Sequence, residues 1–88
     1  MQEKFTNLLK NKAIMDILLS IEFNKTATDI QYNTKISYSH VLKCLRLLQQ
    51  YGLIRISEVG NAKVLYYTSK GEQISALLNK INKIYTEG

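Results

Sequence analysis

The spacing of apolar residues changes twice along this chain, and that double change is the strongest constraint on its fold. Phe5, Leu8, Leu9, Ile14, Ile17, Leu18 and Ile21 recur at intervals of three and four, the signature of a helix with one buried face. The same interval runs through Val41, Cys44, Leu45 and Leu48. After Gly52 the interval drops to two. Ile54 and Ile56 alternate with Arg55 and Ser57, and Leu65 and Tyr67 alternate with Val64 and Tyr66, as in half-buried strands. From Ile74 the longer interval returns through Leu77, Leu78, Ile81, Ile84 and Tyr85. The spacing predicts helices, then a two-stranded hairpin, then a last helix, in an α+β fold that is mostly α. With 88 residues there is room for one domain, 1–88, and a modest core.

Capping residues divide the helical stretches. Thr26, with Asp29 three residues on, forms a capping box for a short helix over about 27–33, with Ala27 and Ile30 inward. Ser37 suits the N-cap of the next helix, with Ile36 and Val41 placed as a hydrophobic staple, and Gly52 supplies the left-handed position that ends it after Tyr51. Gly60-Asn61-Ala62-Lys63 reads as the hairpin turn, since Gly and Asn tolerate positive φ. Ser69, with Glu72 three residues later, reads as the cap of the last helix. Asn11-Lys12-Ala13 marks either a bend or nothing, Leu42 and Leu47 fit neither helix face, and Tyr66 faces either solvent or core.

Charge is localised. The net charge is +5, yet residues 1–34 carry four cations and four anions, and residues 71–88 carry two of each. The whole excess lies in 35–70, where Lys35, Lys43, Arg46, Arg55, Lys63 and Lys70 face Glu58 alone. A localised excess is what an electrostatic footprint on phosphate requires.

The order of helix, short helix, longer helix, hairpin and helix is that of a winged helix-turn-helix. The segment Ile36-Ser37-Tyr38-Ser39-His40-Val41, continuing through Leu45 and Leu48 to Gly52-Leu53-Ile54, resembles the recognition helix and wing entry of MarR-like and ArsR-like regulators. Tyr66-Tyr67-Thr68-Ser69-Lys70-Gly71 is similar to their strand-to-helix Leu-Thr-x-x-Gly ending, with Tyr67 in place of an aliphatic. The likeness covers about residues 13–75. It implies a three-helix core, a two-stranded β-wing and a C-terminal dimerisation helix, in small single-domain form. Residues of about 13–70 would form the helix-turn-helix and wing, and 1–12 and 71–88 the dimerisation elements.

A helix entering the major groove reads base edges with its N-terminal residues, while its amide end favours phosphate. Ser37, Tyr38, Ser39, His40 and Lys43 are therefore the expected reading positions, with Arg46 one turn on at the backbone. Asn61 and Lys63 at the wing tip suit phosphate or minor-groove contact, and Thr26 and Thr28 suit phosphate. The apolar stripe of Ile74, Leu77, Leu78, Ile81, Ile84 and Tyr85, with Phe5, Leu8 and Leu9 at the other end, is expected to form a homodimer interface. Such a dimer would read an inverted repeat with half-sites about 34 Å or a multiple apart.

Sequence-specific double-stranded DNA binding by a homodimeric transcriptional regulator is the leading expectation. An architectural chromatin protein and a winged-helix module that docks on protein are the alternatives. No enzyme is expected: one His, no Ser/His/Asp grouping, no glycine-rich phosphate loop and no paired carboxylates leave no site to build. His40 and Cys44 lie four residues apart, but they are only two ligands with Cys44 inward, and little chain is left over to build a ligand pocket, so no metal, cofactor or small-molecule ligand is expected. The lone Cys44 forms no internal disulfide, no apolar stretch approaches the roughly 20 residues of a membrane span, and the N-terminus lacks a signal-peptide core. A cytoplasmic, nucleoid-associated protein is the expected setting.

Overall fold

The computed structural model describes residues 10–87. Its elements are α1 (Lys12–Ser20), α2 (Ala27–Thr34), α3 (Tyr38–Gln50), β1 (Ile54–Val59), β2 (Ala62–Tyr67) and α4 (Ser69–Glu87). Phe5, Leu8 and Leu9 lie outside the described residues. Asn11 resolves the question left by Asn11-Lys12-Ala13: it is extended, and its side-chain oxygen accepts from the Ile14 amide at 3.2 Å, so α1 starts afresh here.

One core joins these elements. Ile14, Ile17, Leu18 and Ile21, Ala27 and Ile30, Val41, Cys44, Leu45 and Leu48, and Ile54 and Leu65 are all buried, as the sequence reading expects, and Leu53, which no spacing marked, is buried with them. Leu42 and Leu47, which fit neither face by spacing, are half-buried and pack against this core from the flanks of α3. Burying a full aliphatic side chain contributes about 1.5–3 kcal/mol, so this cluster supplies most of the drive to fold.

The connections hold the helices at defined angles. Thr26 accepts from the Asp29 amide at 3.1 Å and caps α2. The buried Asn24 donates to the Ser20 carbonyl at 3.0 Å and accepts from Asn33, tying the α1–α2 loop to the end of α2. Lys35 ends α2 in the left-handed region at φ 62°, where its amide bonds the Gln31 carbonyl at 3.0 Å and its ammonium lies over the Tyr32 ring. Ser37 then caps α3, accepting from the His40 amide at 3.4 Å.

At the far end of α3 two bonds close a Schellman turn. The Gly52 amide reaches the Gln49 carbonyl at 2.9 Å and the Leu53 amide reaches Leu48 at 3.0 Å, with Gly52 at φ +76°. Buried Leu53 and Leu48 supply the apolar contact that goes with such turns.

Strands β1 and β2 are antiparallel, with Ile54 opposite Tyr67, Ile56 opposite Leu65, and Val59 opposite Ala62. The turn is therefore two residues, Gly60-Asn61, and Ala62 and Lys63 belong to β2 rather than to the turn. Gly60 takes φ +63° while Asn61 does not take a positive φ, the pattern of a turn with Gly at its first central position. A third backbone segment joins the sheet that the alternation did not reveal: Thr26 bridges Val64, and the Leu65 amide donates to the Lys25 carbonyl at 2.8 Å.

The cap of α4 is Thr68, one residue earlier than the sequence suggests. Its Oγ1 accepts from the Gly71 amide at 3.0 Å and donates to the Gly52 carbonyl at 2.6 Å. Ser69 is the first helical residue, because the hydroxyl already anchored to Gly52 is the one positioned to cap. Tyr67 also differs from the aliphatic pattern for a reason: its phenol donates to the Leu18 carbonyl and accepts from buried Ser75 at 3.1 Å, joining β2, α1 and α4.

Candidate nucleic-acid interface

Helix α3 presents two chemically different faces. Val41, Cys44, Leu45 and Leu48 are buried, whereas Ser37, Tyr38, Ser39, His40, Lys43 and Arg46 are all exposed. The inward set has apolar spacing and the outward set carries hydroxyls, an imidazole, an ammonium and a guanidinium. This is the division that lets one helix be held by the core while its opposite side meets a polar partner. The Ser37 cap leaves the N-terminal end of the helix at the surface.

One edge of the outward face borders a groove. Ser39, His40, Lys43 and Leu47 line it together with Asn11 and Ile14 from the start of α1, enclosing about 440 Å³. Buried Cys44 also lines it, and burial pushes its thiol above the ordinary range, with the nearby Lys43 charge opposing in part. The thiol is therefore neutral and packed, as its inward spacing implies.

The hairpin adds a second surface. Arg55 and Tyr66 stand opposite each other on its outer face and both are exposed, which settles Tyr66 as outward. The charge count alone assigns Arg55 no contact; its alternation with Ile54 and Ile56 is the signal that places it outside. Asn61 is exposed at the turn. Lys63 is not at the tip and not free: it lies one pair further in, and its Nζ is 2.6 Å from Glu58 Oε1 across the strands. The Lys63 hydrogen bond, and then its charge, hold the Glu58 carboxyl below the usual carboxylate range.

Thr28 is exposed on the first turn of α2. Thr26 is half-buried, with its oxygen accepting from Asp29 and its backbone bridging Val64, so its structural duties are plain. Of the expected dimer stripe, Ile74 and Leu78 pack against the chain's own core, while Leu77, Ile81, Ile84 and Tyr85 are 60–86% exposed. Every residue from Asn79 to Thr86 is exposed, so the second half of α4 projects beyond the core. No helix among the described residues is long and apolar enough to cross a membrane.

The same arrangement occurs in solved structures. The transcriptional regulator SlyA superposes with a TM-score of 0.81 at 18% identity, over 96% of this chain and 63% of that one. Streptococcus pneumoniae FabT, solved in complex with DNA, gives 0.78 at 20% identity over 92% and 64%. AF1382 from Archaeoglobus fulgidus gives 0.79 at 20% identity over 90% and 93%. The chain thus spans nearly all of AF1382 and a little under two thirds of SlyA and FabT. The likeness to MarR-like regulators read from residues 36–54 and 66–71 holds in the fold. No curated protein matches the chain by sequence. A family model described as winged helix-turn-helix matches residues 9–86, and with the three-helix core, capped outward-facing α3 and two-stranded wing, the chain belongs to that family.

Proposed function

We propose that this protein binds double-stranded DNA sequence-specifically as a homodimer and regulates transcription, acting on the nucleoid in the cytoplasm. The observation that carries this reading is the outward face of α3. Tyr38, Ser39, His40 and Lys43 cluster at its exposed N-terminal half, within the segment that holds the entire charge excess. Tyr38, Ser39 and His40 offer donors, acceptors and an apolar ring to base edges, and Lys43 reaches a guanine edge or a phosphate. Arg46 and Arg55 lie where backbone contacts would fix register, and Asn61 at the turn suits the adjacent minor groove. Support from outside the chain comes from FabT, solved in complex with DNA, and from SlyA, a transcriptional regulator.

The dimer follows from α4. Leu77, Ile81, Ile84 and Tyr85 form one stripe on a helix that has already left its own core. A second copy of this helix has the complementary apolar surface, and its association would add the buried area that a domain of this size lacks alone. No catalytic role and no cofactor are proposed.

Selection of bound duplexes from a random pool tests the reading. The native protein should enrich an inverted repeat, and Tyr38→Ala or His40→Ala should lower discrimination by about 1 kcal/mol at one position of each half-site. Enrichment of no sequence by a protein that still binds would mark an architectural protein. Equal losses on selected and random DNA from both variants would remove α3 as the reader.

A further inference from the structure

The geometry points to Glu58 as a residue that restrains the wing: it holds Lys63 away from phosphate and so limits the sequence-independent part of DNA binding. This rests on the DNA-binding reading above. Glu58 is the one acidic residue in the basic segment 35–70. The hairpin register places it opposite Lys63, and the ion pair at 2.6 Å follows from that placement. Among the described residues, this is the ion pair that the cations of the segment make; Lys43, Arg46, Arg55 and Lys70 have none.

The pairing falls where it does for a reason. On the core-facing row of the hairpin, Ile54 meets Tyr67 and Ile56 meets Leu65, and both pairs bury apolar surface. The next pair in the row is Glu58 and Lys63, where the core has run out and the hairpin stands in solvent. An exposed pair contributes little to stability, so folding alone gives small reason for an anion here. Its larger effect is on charge. A phosphate must compete with Glu58 for Lys63, so the wing offers less of the sequence-independent attraction that counterion release supplies. Specific and random sites lose this attraction by similar factors, so Glu58 lowers overall affinity and salt sensitivity while the base contacts of α3 carry a larger share of the binding.

Glu58→Gln keeps the shape and removes the charge. Anisotropy titrations of a random-sequence duplex across a salt series should show the slope of log K against log salt steepening by about 0.9 per protomer. Affinity should rise by up to about fivefold per protomer near 0.1 M salt, the most that an exposed pair can withhold, and by similar factors on a random and a selected duplex. The double variant Glu58→Gln/Lys63→Gln should return to a slope no steeper than native, which separates release of Lys63 from simple loss of a repulsive charge. An unchanged slope in Glu58→Gln, weaker binding, or the same steepening in the double variant would overturn the inference while leaving DNA binding intact. Absence of binding by the native protein at low salt would instead remove the reading on which it rests.

Discussion

Gly71 has no side chain because the backbone of Leu53 occupies the space. A Cβ placed there would sit 1.8 Å from the Leu53 carbonyl oxygen, so α4 can cross the entry to the hairpin at this distance only through a glycine. The same crossing is fastened by Thr68, whose amide donates to the Leu53 carbonyl at 3.1 Å while its hydroxyl joins Gly52 to Gly71. Gly71→Ala should therefore destabilise the protein by about 3 kcal/mol or prevent folding, read as the urea midpoint, since the obstructing atoms are backbone and cannot rotate away. Tyr67 is the other residue on which several elements converge. Tyr67→Phe should cost about 1–2 kcal/mol, because it leaves the Leu18 carbonyl and the buried Ser75 hydroxyl without their partner.

Burial also raises the pKa of the Tyr67 phenol and the Cys44 thiol. Both groups lose their protons in the unfolded chain before they do so in the native one, so above the unfolded values the native state holds more protons. Stability should be fully present up to about pH 8.5 and fall as pH rises through about 10 and beyond. Urea midpoints measured across that range check this, and Tyr67→Phe should fall less steeply; a midpoint that rises with pH would contradict it.

At the scale of elements, what could be read from the sequence was local. Ser37, Thr26 and Gly52 cap through bonds to residues three positions away, so their capping roles are written in nearby residues. The inward faces of α1, α2 and α3 are equally legible, because a period of three and four is a property of one helix. Thr68 displaces Ser69 as a cap because of a bond to Gly52, 16 residues away, which no local pattern encodes. The Thr26–Val64 bridge and the Glu58–Lys63 pair depend likewise on register and on how elements meet. The candidate site divides the same way. Its location followed from charge and helix period, whereas the engagement of Lys63 and the outward place of Arg55 needed the paired strands. Arg55→Ala should consequently weaken binding to random and selected duplexes by similar factors and reduce the salt slope by about 0.9 per protomer, measured by anisotropy.

At the scale of the whole molecule, the described residues measure 43 × 29 × 22 Å, and the free half of α4 is the part least accounted for by the chain's own core. Ile81→Glu places a carboxylate in the exposed stripe without disturbing a buried contact. Sedimentation should show a dimer for the native protein and a monomer for this variant, with unchanged helical signal in circular dichroism. A native monomer at all concentrations would remove the two-fold arrangement and the inverted repeat with it.

On the proposed function, the excess charge of 35–70, displayed on α3 and the wing, meets nucleic-acid phosphate. Titration of a labelled duplex against the native protein over a series of salt concentrations tests this directly. Neutralisation of about 6–8 phosphates per dimer predicts a slope of log K against log salt of about −5 to −7. A slope near zero, or no binding at the lowest salt, would contradict it.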